Sequence, residues 1–289
     1  MKHKRETAKH DGQTFTVRDV VSVVPKSTVV GKKTRIWRGV NSLAIASEKD
    51  LTFITSKADA NLLEDTQASV ILAPRDRFGH FPRNKTVILC DNPRLAFARV
   101  AKRFVGADLQ EGIHPTVVIY HPYVKIGVNV TIRAYAVLGG HGFGYERNEK
   151  GELEKFPHYG NAVIEDNVDI GSFSTVERAA FGSTIVGRGS KIDSFVHVGH
   201  NVRIGENCVV AAGAIFAGSV TVGKGVFVGV NSCIKQSVHV GDGATVGMGS
   251  VVIHDVAEND VVAGCPAVSI SASAEKQRQK PSRNPRKNF

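Results

Sequence analysis

A six-residue register constrains this chain more than any other feature. Steps of six from Val186 give Val186, Ile192, Val198, Ile204, Val210, Phe216, Val222, Val228, Ile234, Val240, Val246 and Val252, every one large and apolar. The following residue is often glycine, as at Gly187, Gly199, Gly205, Gly223, Gly229, Gly241 and Gly247. The fourth residue after is usually small or β-branched, as at Val202, Cys208, Ala214, Val226, Ser232, Ala244 and Ser250. An α-helix repeats its apolar face about every 3.6 residues, which a six-step register does not serve. A short fixed period marks a solenoid. Three hexads close a triangular coil of about 18 residues, each large side chain pointing inward and stacking about 4.8 Å from its equivalent in the next coil. Glycine accepts the backbone angles that the corners require.

The same step occurs earlier at Ile113, Ile119, Ile126 and Ile132, with a one-residue slip after Ile119, and resumes at Ile164, Ile170 and Val176. Between them, residues 139–161 break the register and must leave the coil as an extruded loop. Ordered loops of that length are often functional. Residues 1–110 lack the hexad. Residues 17–24 read as a short helix, and 68–73 and 86–90 as strands rich in β-branched residues. Asn92-Pro93 opens a helix over 94–104, with Leu95, Ala98, Val100 and Phe104 as its apolar face. The expectation is a mainly β chain: a small α/β domain over 1–110, a parallel β-helix over 111–268 carrying the loop at 139–161, and a basic, disordered tail over 269–289.

The formal net charge is +10. Part of the excess sits at the ends, in Lys2, Lys4, Arg5 and Lys9 and in Lys276, Arg278, Lys280, Arg283, Arg286 and Lys287. Such ends read as solvated tails or as a dock for an acidic protein or a membrane surface. Aromatics are not interleaved with the basic residues, which argues against nucleic acid as a partner. No apolar run of about 18 residues is present, so no transmembrane helix is expected, and the charged start lacks the apolar core of a signal peptide. Cys90, Cys208, Cys233 and Cys265 form no CxxC pair and read as reduced thiols of a cytoplasmic protein.

Several short motifs follow one another along the chain. They are Leu51-Thr52-Phe53, Asn92-Pro93 with Ala98-Arg99, Gly112-Ile113-His114-Pro115-Thr116, Gly142-Phe143-Gly144-Tyr145, Lys155-Phe156-Pro157-His158-Tyr159-Gly160, Thr175-Val176-Glu177-Arg178, Ile192-Asp193 and Val198-Gly199-His200-Asn201-Val202. Over residues 17–270 the chain resembles the UDP-3-O-acylglucosamine N-acyltransferases of lipid A synthesis. The resemblance implies a left-handed coil, a homotrimer and a uridine-binding N-terminal domain. It also implies transfer of an acyl group from a thioester, of acyl carrier protein or of coenzyme A, to the amine of a UDP-linked sugar, with acyl carrier protein as a candidate partner and no tightly bound cofactor. Phe53 matches one wall of the family's uracil clamp, but the tyrosine of the other wall falls on Asp59, and a neighbouring asparagine on Ser56. A second active-site histidine of the family falls on Ser237, and the C-terminal helices that help bind acyl carrier protein give way to the short basic tail. The close of the coil, Gly247-Met248-Gly249-Ser250-Val251-Val252, Asp255-Val256 and Val262-Ala263-Gly264-Cys265-Pro266-Ala267, resembles acetyl-CoA-dependent hexapeptide acetyltransferases. That second likeness makes Gly247, Gly264 and Pro266 donor-binding candidates. It also keeps open an acetyl-CoA-dependent enzyme of surface-polysaccharide synthesis.

His200 is the candidate general base. Amide formation needs an ammonium to lose its proton before attacking a thioester, and imidazole, with an unperturbed pKa of about 6.5, suits that task. The resemblance gives Asp193 the role of orienting the ring. Gly218 lies 18 residues after His200, one coil on at the same corner, where its N–H can face a developing oxyanion. By resemblance, His158, Lys155, His141 and Asn201 are acceptor-binding candidates. His197 and His200 form an HxxH that raises a zinc reading, but no third histidine has an obvious place, so no metal is expected. A non-catalytic trimeric scaffold for a nucleotide sugar is the other class of reading, and it would need neither His200 nor Asp193. Coils packed in parallel place concave sites between subunits.

Overall fold

The computed structural model describes residues 8–9, 13–55, 62–75, 83–106 and 111–270. Ser56, Asp59, the tail residues from 271 on and the basic residues Lys2, Lys4 and Arg5 lie outside that set. The chain divides into two compact units, Met1–Leu109 and Gln110–Phe289.

In the first unit, strands Gly39–Val40, Asp50–Phe53, Val70–Pro74 and Thr86–Cys90 run parallel, with Ala8–Lys9 and Thr28–Val30 antiparallel at the two edges. Val70, Ile71, Leu72, Val87 and Ile88 are 0% exposed, as a parallel sheet buried on both faces requires. Helix Val17–Val23 starts at a capping box in which the Thr16 N–H and hydroxyl both donate to Asp19 Oδ2, at 2.6 and 2.8 Å. Helix Pro93–Val100 starts where Asn92 Oδ1 accepts from the Leu95 N–H at 3.0 Å, and it runs on into a π-helical turn, Ala101–Val105. Its buried stripe differs from the expected one. Pro93, Ala96 and Val100 are buried and Phe97 and Phe104 pack with them, whereas Leu95 is 45% exposed and Ala98 is exposed. The inward residues 96, 100 and 104 are spaced i, i+4, and Leu95 and Ala98 lie beside that line rather than on it.

The second unit is a parallel β-helix with three faces. Ile132, Ile170, Ile192, Val210, Val228, Val246 and Val262 follow one another along the first face. Leu138, Val176, Val198, Phe216, Ile234 and Val252 do so along the second. Ile164, Val186, Ile204, Val222 and Val240 do so along the third. None of these side chains is more than 5% exposed, so the register is the core. The small positions are buried too, and the Ser190 and Ser232 hydroxyls donate to the carbonyls of Gly205 at 2.8 Å and Gly247 at 3.0 Å. Their polar groups are thereby satisfied inside an apolar stack.

Besides the one-residue slip after Ile119, which makes the first step 19 (Ile119 pairs with Leu138), two larger insertions interrupt the 18-residue step. Lys191 pairs with Val209 at the regular step, but Asp169 pairs with Lys191 and Thr131 with Asp169 over steps of 22 and 38. Both insertions leave between the second face and the third. The longer contains an antiparallel hairpin, Tyr145–Arg147 with Leu153–Lys155. The shorter follows Val176. At the far end, Val268–Ser269 pairs antiparallel with Val261–Ala263, and the Ile270 N–H donates to Val261 O at 2.7 Å. The coil therefore holds residues 269 and 270, which the sequence had suggested for the tail, because the last strand folds back to cover the open edge of its sheet. Among the described residues no helix is long and apolar enough to cross a membrane.

Candidate functional site

The corner that emits both insertions also carries His200, between Val198 on the second face and Ile204 on the third. Gly218 occupies it one coil later. Successive coils thus supply the hairpin base, the short insertion, His200 with Asn201, and Gly218. Backbone bonds tie them together. The Arg178 N–H donates to Gly140 O at 2.9 Å, Gly160 N–H to Ala179 O at 3.0 Å and Ser219 N–H to His200 O at 2.9 Å.

Asn201 is the side chain bonded to the His200 ring. Its backbone sits at φ +61°, a region asparagine tolerates better than most residues. Its Oδ1 accepts from the Ala180 N–H at 2.9 Å, and its Nδ2 donates to Phe181 O at 2.9 Å. Those two bonds fix which way the amide faces. Oδ1 also lies 3.1 Å from His200 Nδ1, so Nδ1 donates and Nε2 keeps its lone pair. Asp193, the expected orienting residue, does not reach His200 within the chain. It follows Ile192 at the corner between the first and second faces, is exposed, and accepts from the Ser194 N–H at 2.7 Å. The cause is the register: His200 belongs to the next corner.

Gly218 is buried directly against the imidazole. A Cβ at 218 would lie 2.6 Å from His200 Cε1 and Nε2, so only glycine lets the ring rest there. Among the described residues no hydrogen bond uses the Gly218 N–H. Glu177 Oε2 accepts from the His200 N–H at 3.2 Å, and its Oε1 lies 4.0 Å from His197 Nε2. The other His197 nitrogen, Nδ1, lies 2.7 Å from Thr175 Oγ1.

His158 and His141 come from the hairpin base. His158 is 2% exposed. Its Nδ1 donates to Phe156 O at 3.0 Å, and its buried Nε2 has no hydrogen-bond partner. Its ring meets that of His200 edge-on, with centroids 5.1 Å apart. Gly142 packs over both residues, and a Cβ there would press on His158 Nε2 and on His200 Cβ. Burial holds the His158 pKa below the ordinary histidine value; the Phe156 bond and the Glu177 charge oppose the shift, while His200 and His141 add to it. The ring is therefore neutral at neutral pH. His141 also lies below its ordinary value, through desolvation first and then the Arg178 and Lys155 charges. Lys155 itself is exposed, opposite Tyr145 in the hairpin.

The cation that knits this cluster had no assigned role from sequence. Arg178 is 5% exposed. Its Nε donates to His158 O at 3.0 Å, its Nη2 donates to the His141 ring, and its guanidinium lies 4.0 Å from the centre of the Tyr123 ring. The available signal was the ten-residue gap from Val176 to Val186, where the register should step by six.

The remaining candidates lie elsewhere. Phe53, half-buried, packs on Phe97 with centroids 4.8 Å apart, so one side of its ring is covered. Gly247, Gly264 and Pro266 come together at the close of the coil, where the Gly247 N–H donates to Val262 O at 2.8 Å and the Val251 N–H to Gly264 O at 3.0 Å. Gly247 shares the Asp193 corner, and so within one chain the donor candidates and His200 occupy different corners.

Comparison with known proteins adds an independent result. The family profile LpxD, UDP-3-O-(3-hydroxymyristoyl) glucosamine N-acyltransferase, matches residues 38–103. Profiles for the bacterial transferase hexapeptide and for the hexapeptide repeat of succinyl-transferase match 183–218 and 219–253. The UDP-3-O-acylglucosamine N-acyltransferase of Wolinella succinogenes is 30% identical over 63% of this chain and 72% of its own. That of Coxiella burnetii is 29% identical over 72% of this chain and 76% of its own. The structure of Francisella novicida UDP-N-acetylglucosamine acyltransferase covers 59% of this chain and 75% of its own, at 23% identity and a TM-score of 0.46.

Proposed function

The chain belongs to the family of UDP-3-O-acylglucosamine N-acyltransferases, and from that premise we propose that His200 Nε2 is the general base of an N-acyl transfer to a UDP-linked amino sugar. The observation that carries the reading is the hydrogen bond from His200 Nδ1 to Asn201 Oδ1, since it leaves Nε2 free to take a proton. Nε2 accepts a proton from the sugar ammonium, and the freed amine attacks the thioester carbonyl carbon. The C–N bond forms, the C–S bond breaks, the imidazolium passes its proton to the leaving thiolate, and the new amide nitrogen sheds its second proton to solvent, so one proton is released per turnover. The Gly218 N–H, at the foot of the ring, serves the oxyanion of the tetrahedral intermediate. Such a base contributes about 10²–10⁴-fold.

The donor is an acyl thioester of acyl carrier protein or of coenzyme A, and the working form is a cytoplasmic homotrimer. His158, His141, Lys155 and Asn201 flank the acceptor, and Gly247, Gly264 and Pro266 flank the donor. In a trimer, the corner that carries Asp193 and Gly247 in one subunit can face the His200 corner of another. The deciding experiment assays transfer from acyl carrier protein and CoA thioesters to UDP-amino sugars by the parent and by His200→Ala. The expected result is a loss of about 10²–10⁴-fold in turnover with the fold retained. Unchanged turnover would remove His200 as the base, and turnover by neither protein would favour a non-catalytic scaffold.

A further inference from the structure

The first unit holds a second concave site, remote from Phe53 along the sheet. Phe53 ends its strand, whereas this cleft gathers residues that precede strands Asp50–Phe53, Val70–Pro74 and Thr86–Cys90. It has a volume of about 490 Å³, and its walls include Arg35, Lys49, Thr66, Ser69 and Lys85, with Glu48 as the lone acid.

Its charges are out of balance. Lys85 is 6% exposed, and its ammonium donates to the carbonyls of Thr66 and Ala68 rather than to a carboxylate. Arg35 Nη2 donates to Asn84 O at 2.6 Å. No ion pair joins Arg35, Lys49 or Lys85 to an acid among the described residues. A guanidinium offers five donors and an ammonium three, so most of these N–H groups are unspent. The Ser69 hydroxyl adds a separate observation: Ser69 is 5% exposed and its Oγ has no hydrogen-bond partner. A buried hydroxyl without a partner costs about 1–3 kcal/mol. Burial and the nearby Arg35 charge both lower the pKa of Lys85, the electrostatic signature of cations held together without an anion between them.

We propose that this cleft binds a compact phosphate-bearing anion, such as pyrophosphate or a small phosphomonoester, through Arg35, Lys49 and Lys85, with the Ser69 hydroxyl as a further donor. A tetrahedral dianion accepts from several donors at once and neutralises like charges that otherwise repel. Glu48 at the wall disfavours a longer polyanion laid across the opening. The site is independent of the acyl-transfer reading, because it uses none of the residues around His200.

The test is calorimetric titration of the full chain with pyrophosphate and with inorganic phosphate. Parent and His200→Ala should bind alike. Lys49→Glu reverses an exposed charge that makes no hydrogen bond through its side chain, so that variant should fold, and it should bind at least tenfold more weakly. Ser69→Ala should weaken binding less. Absence of saturable binding to the parent, or equal affinity in Lys49→Glu, would overturn the proposal.

Discussion

Asn201 is held by Ala180 and Phe181 before it meets His200, so the imidazole inherits its tautomer from a backbone arrangement two coils deep. Asn201→Gly separates the roles, since glycine keeps the positive φ at no steric cost and removes the acceptor. Turnover should fall at least about tenfold, or ~1.4 kcal/mol in the barrier, with circular dichroism unchanged, as steady-state kinetics can check. His158 makes a different prediction. Its folded pKa lies below the ordinary value of 6.5, so the folded chain refuses a proton that the unfolded chain accepts. Stability is then intact above about 6.5 and falls as pH drops from there through the lower folded value, by at most about 1.4 kcal/mol per pH unit. Urea midpoints at pH 7.5 and pH 5 should show a smaller acid loss in His158→Gln than in the parent.

Elements of this molecule differ in what holds them. Each coil strand is only two to four residues long in most positions and gains its stability from the stack, where Phe216 is 0% exposed beneath the His200 coil. Phe216→Ala should cost about 3–5 kcal/mol by chemical denaturation, through lost transfer energy and a cavity that stacked neighbours cannot collapse. The hairpin is another matter. Its paired residues Tyr145–Arg147 and Leu153–Lys155 are all exposed, so it contributes little to the core and owes its place to its base, where Arg178 gathers His141 and the His158 carbonyl. The break at 139–161 was legible because twenty extra residues destroy the register. The four extra residues after Val176 leave a fainter mark, the ten-residue gap from Val176 to Val186 between two intact stretches of the hexad, and the coil-to-coil pairing of Asp169 with Lys191 shows that they leave the coil as an insertion.

At the scale of the whole molecule, one chain leaves the proposed reaction incomplete. His200 stands at one corner, while Asp193 and the donor candidate Gly247 stand at another. Assembly around a three-fold axis is the arrangement that brings unlike corners together. Sedimentation equilibrium should therefore return a trimer, and specific activity should fall on dilution below its dissociation constant. A monomer with undiminished activity would confine the reaction to the residues of a single corner.

The six-step register by itself determined the faces of the β-helix, the exit point of the long insertion, and the shared corner of His200 and Gly218. All three follow from counting, since a solenoid repeats one local geometry. Tertiary structure alone decided that within one chain Asn201 rather than Asp193 bonds the His200 ring, that the His158 ring meets it while Arg178 ties His158 to His141, and that the second helix buries Ala96 rather than Leu95. Those outcomes depend on side-chain directions and on the length of chain extruded between coils, which a periodic pattern leaves open. The cleft around Arg35, Lys49 and Lys85 belongs with them, because its cations are scattered over fifty residues of sequence and only the packing of parallel strands sets them side by side.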